Sequence, residues 1–273
     1  MTEHFFNHPL VNLHYYKFGQ GDKVMLCFHG YGMHGKQFTL LEPYLGNEYT
    51  FYGFDLFFHK QTVLNNNSIE VIKRGLRKAE LKDLFIDFCK DQSINKFSVL
   101  AYSMGTHYAT TLAEQIPERI EEYIVTAPAC LKPGAVVAFL SRNKLGNKLL
   151  EKLALSDKGM LNLLNLCRKF GFVDDKGHEI LHREIATYEL RYSFYACATF
   201  LRELKTDFKQ LVESLNDQNI KSIFIFGKRD SMYPPSIANK IVPKIKGATT
   251  IILDENHEMI KSDFAKALTE VLV

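Results

Sequence analysis

Long apolar runs and runs of one charge are both missing from this sequence. No apolar stretch approaches the roughly 18 to 20 residues that cross a bilayer, so no membrane span is expected. The formal net charge is only +3 over 273 residues, and no block of basic residues occurs. This near balance gives no argument for a nucleic-acid partner or for an electrostatic membrane site.

Paired cysteines and a secretory signal are also missing. The five cysteines are an odd number, and none of them has the paired spacing typical of a metal site. They are Cys27, Cys89, Cys130, Cys167 and Cys197. The N-terminus, MTEHFFNHPLVNLHYY, lacks the basic start and apolar run of a signal peptide. We therefore expect free, mostly buried thiols, a cytoplasmic location and no bound metal.

The sequence does contain alternating strand and helix patterns. Its length and its hydrophobic content of 46% suit one large domain, or one domain with an insertion. Strands are predicted at Leu13–Phe18, Val24–Phe28, Thr50–Asp55, Phe97–Ala101, Tyr123–Thr126, Ser222–Phe226 and Thr249–Leu253. Helices are predicted at Glu80–Lys90, Thr106–Gln115, Pro235–Val242 and Ser262–Val271. Continuous apolar strands that alternate with helices predict an α/β fold, with a mostly parallel central sheet flanked by helices.

The alternation stops over residues 129–205, where only helical patterns occur. We therefore divide the chain into a first core part, 1–128, a helical insertion, 129–205, and a second core part, 206–273. The insertion is either a set of extra helices at the sheet edge or a cap over a pocket. A cap is favoured because the insertion follows Pro128, just past the C-terminal end of a strand, where open α/β sheets bind ligands. Either helix core or a pocket lining would account for its large apolar residues Phe139, Leu149, Leu161, Phe170, Phe194 and Phe200.

A serine turn joins one predicted strand to a helix. The stretch Ala101-Tyr102-Ser103-Met104-Gly105 fits the nucleophile elbow G-x-S-x-G, except that alanine replaces the first glycine. Small residues suit this turn because the strand and the helix nearly touch on either side of the serine. A capping serine would produce the same short pattern, so the motif alone does not decide between the two.

Two further residues have the type and position that a serine nucleophile requires. Serine needs a base, and the base needs an acid that orients it. Asp230 follows the strand Ser222–Phe226, and His257 follows the strand Thr249–Leu253. Each alone is readily explained as a loop or capping residue. Together with Ser103 they favour a catalytic triad.

The loop after Val24–Phe28, CFHGYGMHGKQF, supplies the remaining part of such a site. We predict that the backbone N–H groups of Tyr31 and Met104 form an oxyanion hole. His29 is assigned a loop-shaping role. His34 and His59 are treated as surface or pocket-rim residues.

These motifs resemble those of the α/β-hydrolase superfamily, in particular its capped, serine-dependent esterase-like members. The resemblance covers nearly the whole chain and rests on HGYG, YGFDL, AYSMG, GKRDSMYP and ENHEM. One departure is the segment Leu56–Lys60, which stands where many relatives have a glycine-rich turn.

The resemblance implies a carboxylic-ester hydrolase that forms an acyl-enzyme and needs no cofactor. Its expected partner is a small or medium, largely apolar acyl substrate. Thioester hydrolysis, carbon–carbon bond hydrolysis or elimination on the same triad, a ligand sensor with little turnover and a non-catalytic scaffold stay open as alternatives. Both a monomer and a homodimer are compatible with the sequence.

Overall fold

The computed structural model describes residues 1–132, 135–171 and 175–273. The nine strands in these ranges are β1 (Thr2–Asn7), β2 (Val11–Gly19), β3 (Lys23–Phe28), β4 (Tyr49–Phe54), β5 (Val63–Leu64), β6 (Phe97–Tyr102), β7 (Ile120–Thr126), β8 (Lys221–Gly227) and β9 (Thr249–Leu253). The α-helices are α1 (Glu42–Leu45), α2 (Ile69–Arg74), α3 (Lys78–Asp91), α4 (Thr106–Gln115), α5 (Ala135–Arg142), α6 (Lys144–Ala154), α7 (Gly159–Lys169), α8 (Asp175–Ile185), α9 (Tyr188–Phe200), α10 (Phe208–Asp217) and α11 (Ser262–Leu272). Of the described residues, 1–66, 77–132 and 204–273 form one compact unit, and the remainder form a second.

One sheet organises the first unit. Its strand order is β1-β2-β4-β3-β6-β7-β8-β9, with β5 beside β2. Along this order, the strands β4, β3, β6, β7, β8 and β9 pair in parallel, whereas β2 runs antiparallel to its neighbours. All seven strands predicted from the sequence are present. The predicted α/β-hydrolase sheet is thereby confirmed, and β1 and β5 are additions to it.

The sheet is buried because its central strands carry almost only apolar side chains. Every residue of β6 is buried, and all but the first residue of β8 are buried. Helix α3 covers the sheet with the apolar stripe expected from its sequence, in which Phe85 packs edge-on against Phe28 at 5.2 Å between ring centroids. Such aromatic pairs contribute about 0.5–1.5 kcal/mol beyond the area they bury.

One predicted helix is absent. Residues Pro235–Lys240 and Val242–Lys244 form two short 3₁₀ turns instead of an α-helix over Pro235–Val242. Pro243 disfavours the helical conformation at the residue before it, so only the few residues between Pro235 and Pro243 remain for a helix. The other three predicted helices are confirmed as α3, α4 and α11.

The second unit is wholly helical in its described part. It contains α2 and the helices α5 to α9, and thus adds residues 67–76 to the segment singled out in the sequence. Residues 133–134 and 172–174 of the predicted insertion lie outside the described residues. Among the apolar residues named from the sequence, Phe200 is buried, but Phe139, Leu149 and Phe170 are 51%, 48% and 64% exposed. These three are therefore not helix core.

The cysteines and the helix lengths agree with the sequence analysis. All five thiols are free, and only Cys167 is not fully buried. Within the described ranges, no helix combines the length and the apolar character needed to cross a membrane.

Candidate active site

The serine elbow is built where β6 ends. Ser103 follows the last residue of β6 and adopts a φ of +50°, a left-handed conformation that non-glycine residues rarely take. A single 3₁₀ turn, Ser103–Gly105, leads into α4. The hydroxyl of Thr106 donates to the carbonyl oxygen of Ser103 at 2.5 Å and fixes this turn. The strained bend thus has local support, as expected of a functional turn.

Two glycines let the backbone approach this bend closely. A Cβ atom on Gly105 would lie 2.2 Å from the carbonyl oxygen of Phe28 in β3, so no side chain fits there. A Cβ atom on Gly30 would lie 2.8 Å from the ring of Tyr102 and 3.3 Å from Cβ of Ser103. The end of β3 and the loop that follows it therefore both lie against the elbow.

The three side chains singled out from the sequence meet at the carboxyl ends of the parallel strands. The Oγ atom of Ser103 lies 3.1 Å from Nε2 of His257. The Nδ1 atom of His257 lies 2.8 Å from Oδ2 of Asp230. Because an ionised carboxylate only accepts hydrogen bonds, Nδ1 of a neutral His257 carries the proton, and Nε2 is left to accept the proton of the serine. The arrangement suits proton removal from Ser103, although its catalytic role stays a prediction.

Asp230 is held as an anion in a buried setting. Its side chain is fully buried, whereas that of His257 is 26% exposed. Burial alone would raise the pKa of Asp230. The hydrogen bond from His257 and those from the backbone N–H groups of Tyr233 and Met232 outweigh burial, so the pKa falls below its ordinary value. A charged Asp230 can therefore orient the imidazole and stabilise its cation.

Two tyrosines at the site were not singled out from the sequence. The hydroxyl of Tyr102 donates to the backbone carbonyl oxygen of His257 at 2.7 Å, and its ring lies 5.4 Å from the imidazole. The ring of Tyr233 lies 5.5 Å from the imidazole. Burial, followed by the charge of Asp230, raises the pKa of Tyr233 to about 12. The only signal in the sequence was that both tyrosines lie within the motifs of the site, AYSMG and GKRDSMYP.

Two buried histidines shape the loop after β3. The Nε2 atom of His29 accepts the N–H of Leu56 at 3.0 Å, so Nδ1 carries the proton and donates to the carbonyl oxygen of Gly30 at 2.6 Å. The Nε2 atom of His59 accepts the N–H of Gly32 at 3.1 Å. The loop-shaping role of His29 is thus confirmed. Of the two positions expected for His59, at the surface or at a pocket rim, the surface is excluded, because His59 is only 7% exposed and its ring bonds the loop backbone.

One predicted oxyanion donor belongs to the elbow itself, and the other belongs to the loop that contacts it. Tyr31 follows Gly30 in the loop, and Met104 follows Ser103 in the turn. The ring of Tyr31 packs edge-on against His59, with 5.2 Å between ring centroids. The role of the two N–H groups as an oxyanion hole stays a prediction. Over the part of the chain that the structure describes, no cluster of three potential metal ligands occurs.

The chain is similar to several known proteins. It is 20% identical over 263 residues to the uncharacterized hydrolase YugF of Bacillus subtilis, a match that covers 95% of this chain and 92% of that protein. It is 32% identical over 114 residues to the pimeloyl-[acyl-carrier protein] methyl ester esterase of Legionella pneumophila, a match that covers 42% of this chain and 41% of that enzyme. Among solved structures, a thermophilic esterase from Thermogutta terrifontis superposes with a TM-score of 0.71 at 14% identity, covering 100% of this chain and 98% of the esterase.

A family model settles the membership of the chain. The model described as "Serine aminopeptidase, S33" matches residues 19–260 and so includes every residue of the site described above. The esterase superposition agrees with this match at the level of the fold. The chain is therefore an α/β hydrolase that belongs to the serine aminopeptidase S33 family.

Proposed function

We propose that the protein hydrolyses carboxylic esters through a Ser103–His257–Asp230 triad and an acyl-enzyme intermediate. The hydrogen-bond chain from Ser103 through His257 to Asp230 is the observation that carries the proposal. Two relatives named as esterases, one of them for a methyl ester, favour an ester over other acyl compounds.

The first half of the reaction forms the acyl-enzyme. As Oγ of Ser103 attacks the ester carbonyl carbon, its proton moves to Nε2 of His257 and the carbonyl electron pair moves onto oxygen. The resulting oxyanion accepts hydrogen bonds from the N–H groups of Tyr31 and Met104, each typically worth several kcal/mol of barrier. The imidazolium then gives its proton to the departing alcohol as the carbon–oxygen bond breaks.

The second half releases the acid. Water gives a proton to Nε2 of His257 and attacks the acyl carbon, and the bond to Ser103 breaks as its Oγ recovers that proton. Asp230 stays ionised throughout, because its hydrogen bonds favour the charged form. The cycle therefore needs no cofactor. The acyl group is expected to be small or medium in size and largely apolar.

Substitution of the nucleophile tests the mechanism. Ser103→Ala should lower kcat for a p-nitrophenyl acyl ester by about a million-fold, the loss seen when a triad nucleophile is removed. Circular dichroism should be unchanged, because the substitution removes one oxygen atom from a turn that Thr106 also supports. Substantial esterase activity in Ser103→Ala protein would refute the triad.

A substrate panel tests the choice of reaction. Acyl esters of graded chain length should be turned over faster than the matching thioesters, vinylogous diketones and aminoacyl anilides. Preferential cleavage of another class would leave the proposed triad in place but would show that the substrate is not a carboxylic ester. Slow turnover of all classes, together with strong thermal stabilisation by a ligand, would indicate a sensor. Sedimentation of the same sample would distinguish a monomer from a homodimer.

A further inference from the structure

Helix α6 presents two parallel rows of side chains to solvent. Leu145 and Leu149 are 78% and 48% exposed, and Lys144, Lys148 and Lys152 are exposed beside them. Both rows repeat every fourth residue, so each follows one face of the helix. We name these five residues the α6 surface.

The packing of α6 within the helical unit explains why this face is free. The side chain of Asn143 accepts the N–H groups of Leu145 and Gly146 and begins the helix. On the opposite face, Leu150 is buried and Asn147 donates to the hydroxyl of Thr199 in α9 at 2.8 Å. Helix α9 thus fixes the rotation of α6 and leaves the lysine and leucine rows outward.

The charge of this region is mostly positive. Helices α5 and α6 contribute Arg142 and the three lysines against a single carboxylate, Glu151, which pairs with Lys73 at 2.7 Å. Among the described residues, no carboxylate forms an ion pair with the three lysines. In the sequence these lysines are dispersed, and only the helical geometry collects them into a row.

The apolar row continues onto the neighbouring helix. Phe139 in α5 is 51% exposed. A Cβ atom on Gly146 would lie 3.1 Å from the ring of Phe139, so this ring borders α6. Exposed apolar side chains therefore come from two adjacent helices, and cations flank them.

We propose that the α6 surface binds the headgroup region of an anionic lipid membrane. A leucine row that enters the interface, beside lysines whose stems are apolar and whose charges stay in water, is typical of helices that lie on membranes. A protein interface fits less well, because lysine is depleted in such interfaces. The inference is independent of the proposed ester hydrolysis, since binding needs no turnover.

Vesicle binding tests this proposal. Full-length protein should co-sediment with phosphatidylcholine vesicles that contain phosphatidylglycerol, more weakly with phosphatidylcholine alone, and less as salt is raised. The triple variant K144Q/K148Q/K152Q should partition about a hundredfold more weakly into the anionic vesicles at low salt. The double variant L145A/L149A should lose binding to both kinds of vesicle.

Matched variants control for net charge and for catalysis. The variant K240Q/K244Q/K246Q removes three exposed charges elsewhere and should bind almost as wild type does, as should Ser103→Ala. Equal losses in both lysine variants would overturn the proposal, because only overall charge would then matter. Absence of wild-type binding to anionic vesicles would also overturn it. So would a dimer that L145A/L149A abolishes while vesicles are not bound.

Discussion

Gly105 offers a test of how closely the backbone around Ser103 is fitted. A Cβ atom at this position would lie 2.2 Å from the carbonyl oxygen of Phe28, whereas ordinary contacts begin at 3.4 Å. In Gly105→Ala protein, the start of α4 must therefore move away from β3 by about 1 Å. Because Ser103 lies in the same turn, its hydroxyl moves with the helix.

Both stability and reactivity should fall in Gly105→Ala protein. Overpacking of this kind costs about 1–3 kcal/mol of the free energy of unfolding. A displacement of about 1 Å costs about a hundredfold in rate when groups must align for reaction. The rate at which a fluorophosphonate probe labels the protein measures this loss without knowledge of the natural substrate. Urea unfolding of the same samples measures stability.

Gly247→Ala is the matched control. Gly247 has a φ of +65°, so alanine there costs about 1–2 kcal/mol through the backbone alone. No atom lies within 4 Å of the added Cβ, and nothing near Ser103 has to move. The control should thus lose comparable stability but keep the wild-type labelling rate. A folded Gly105→Ala protein that is labelled as fast as the control would refute the reasoning.

Two other predictions concern residues around the triad. Tyr102→Phe removes the hydrogen bond to the carbonyl of His257, worth about 0.5–1.5 kcal/mol, and should slow fluorophosphonate labelling up to tenfold. The ring of Tyr233 also faces the imidazole, but Tyr233→Phe should leave the labelling rate unchanged. Equal labelling rates in the two variants would contradict a role of Tyr102 in positioning His257. Burial, and then the charge of His59, holds the pKa of His29 well below its ordinary value, so the unfolded chain binds a proton that the folded chain does not. The free energy of unfolding should therefore fall below about pH 6.5, by up to 1.4 kcal/mol per pH unit from this group. His29→Asn should show a smaller slope in urea titrations, and an unchanged slope would exclude this origin.

The inner part of the central sheet was predictable because strands such as β6 and β8 are buried on both faces. Such strands consist of continuous apolar runs, which stand out from the helices between them. In contrast, β1 is an exposed edge strand with polar and apolar residues mixed, and β5 has only two residues. Neither has a burial pattern that a single sequence displays.

The residue types of the site were predictable, but the hydrogen bonds that hold those residues in place were not. Ser103, Asp230 and His257 each follow a predicted strand, and parallel strands bring their carboxyl ends to one edge. The hydrogen bond of Tyr102 to the backbone of His257 joins residues 155 positions apart, and a local sequence pattern cannot predict such a contact. The burial of His59 likewise depends on loops that meet only in the folded chain.

The most direct test of the account is to locate the serine that reacts. Protein treated with a fluorophosphonate probe and digested should show a single adduct by mass spectrometry, on Ser103, with labelling lost in His257→Ala protein. An adduct on a different residue, or labelling of Ser103 that does not depend on His257, would contradict activation of this hydroxyl by the imidazole 3.1 Å away.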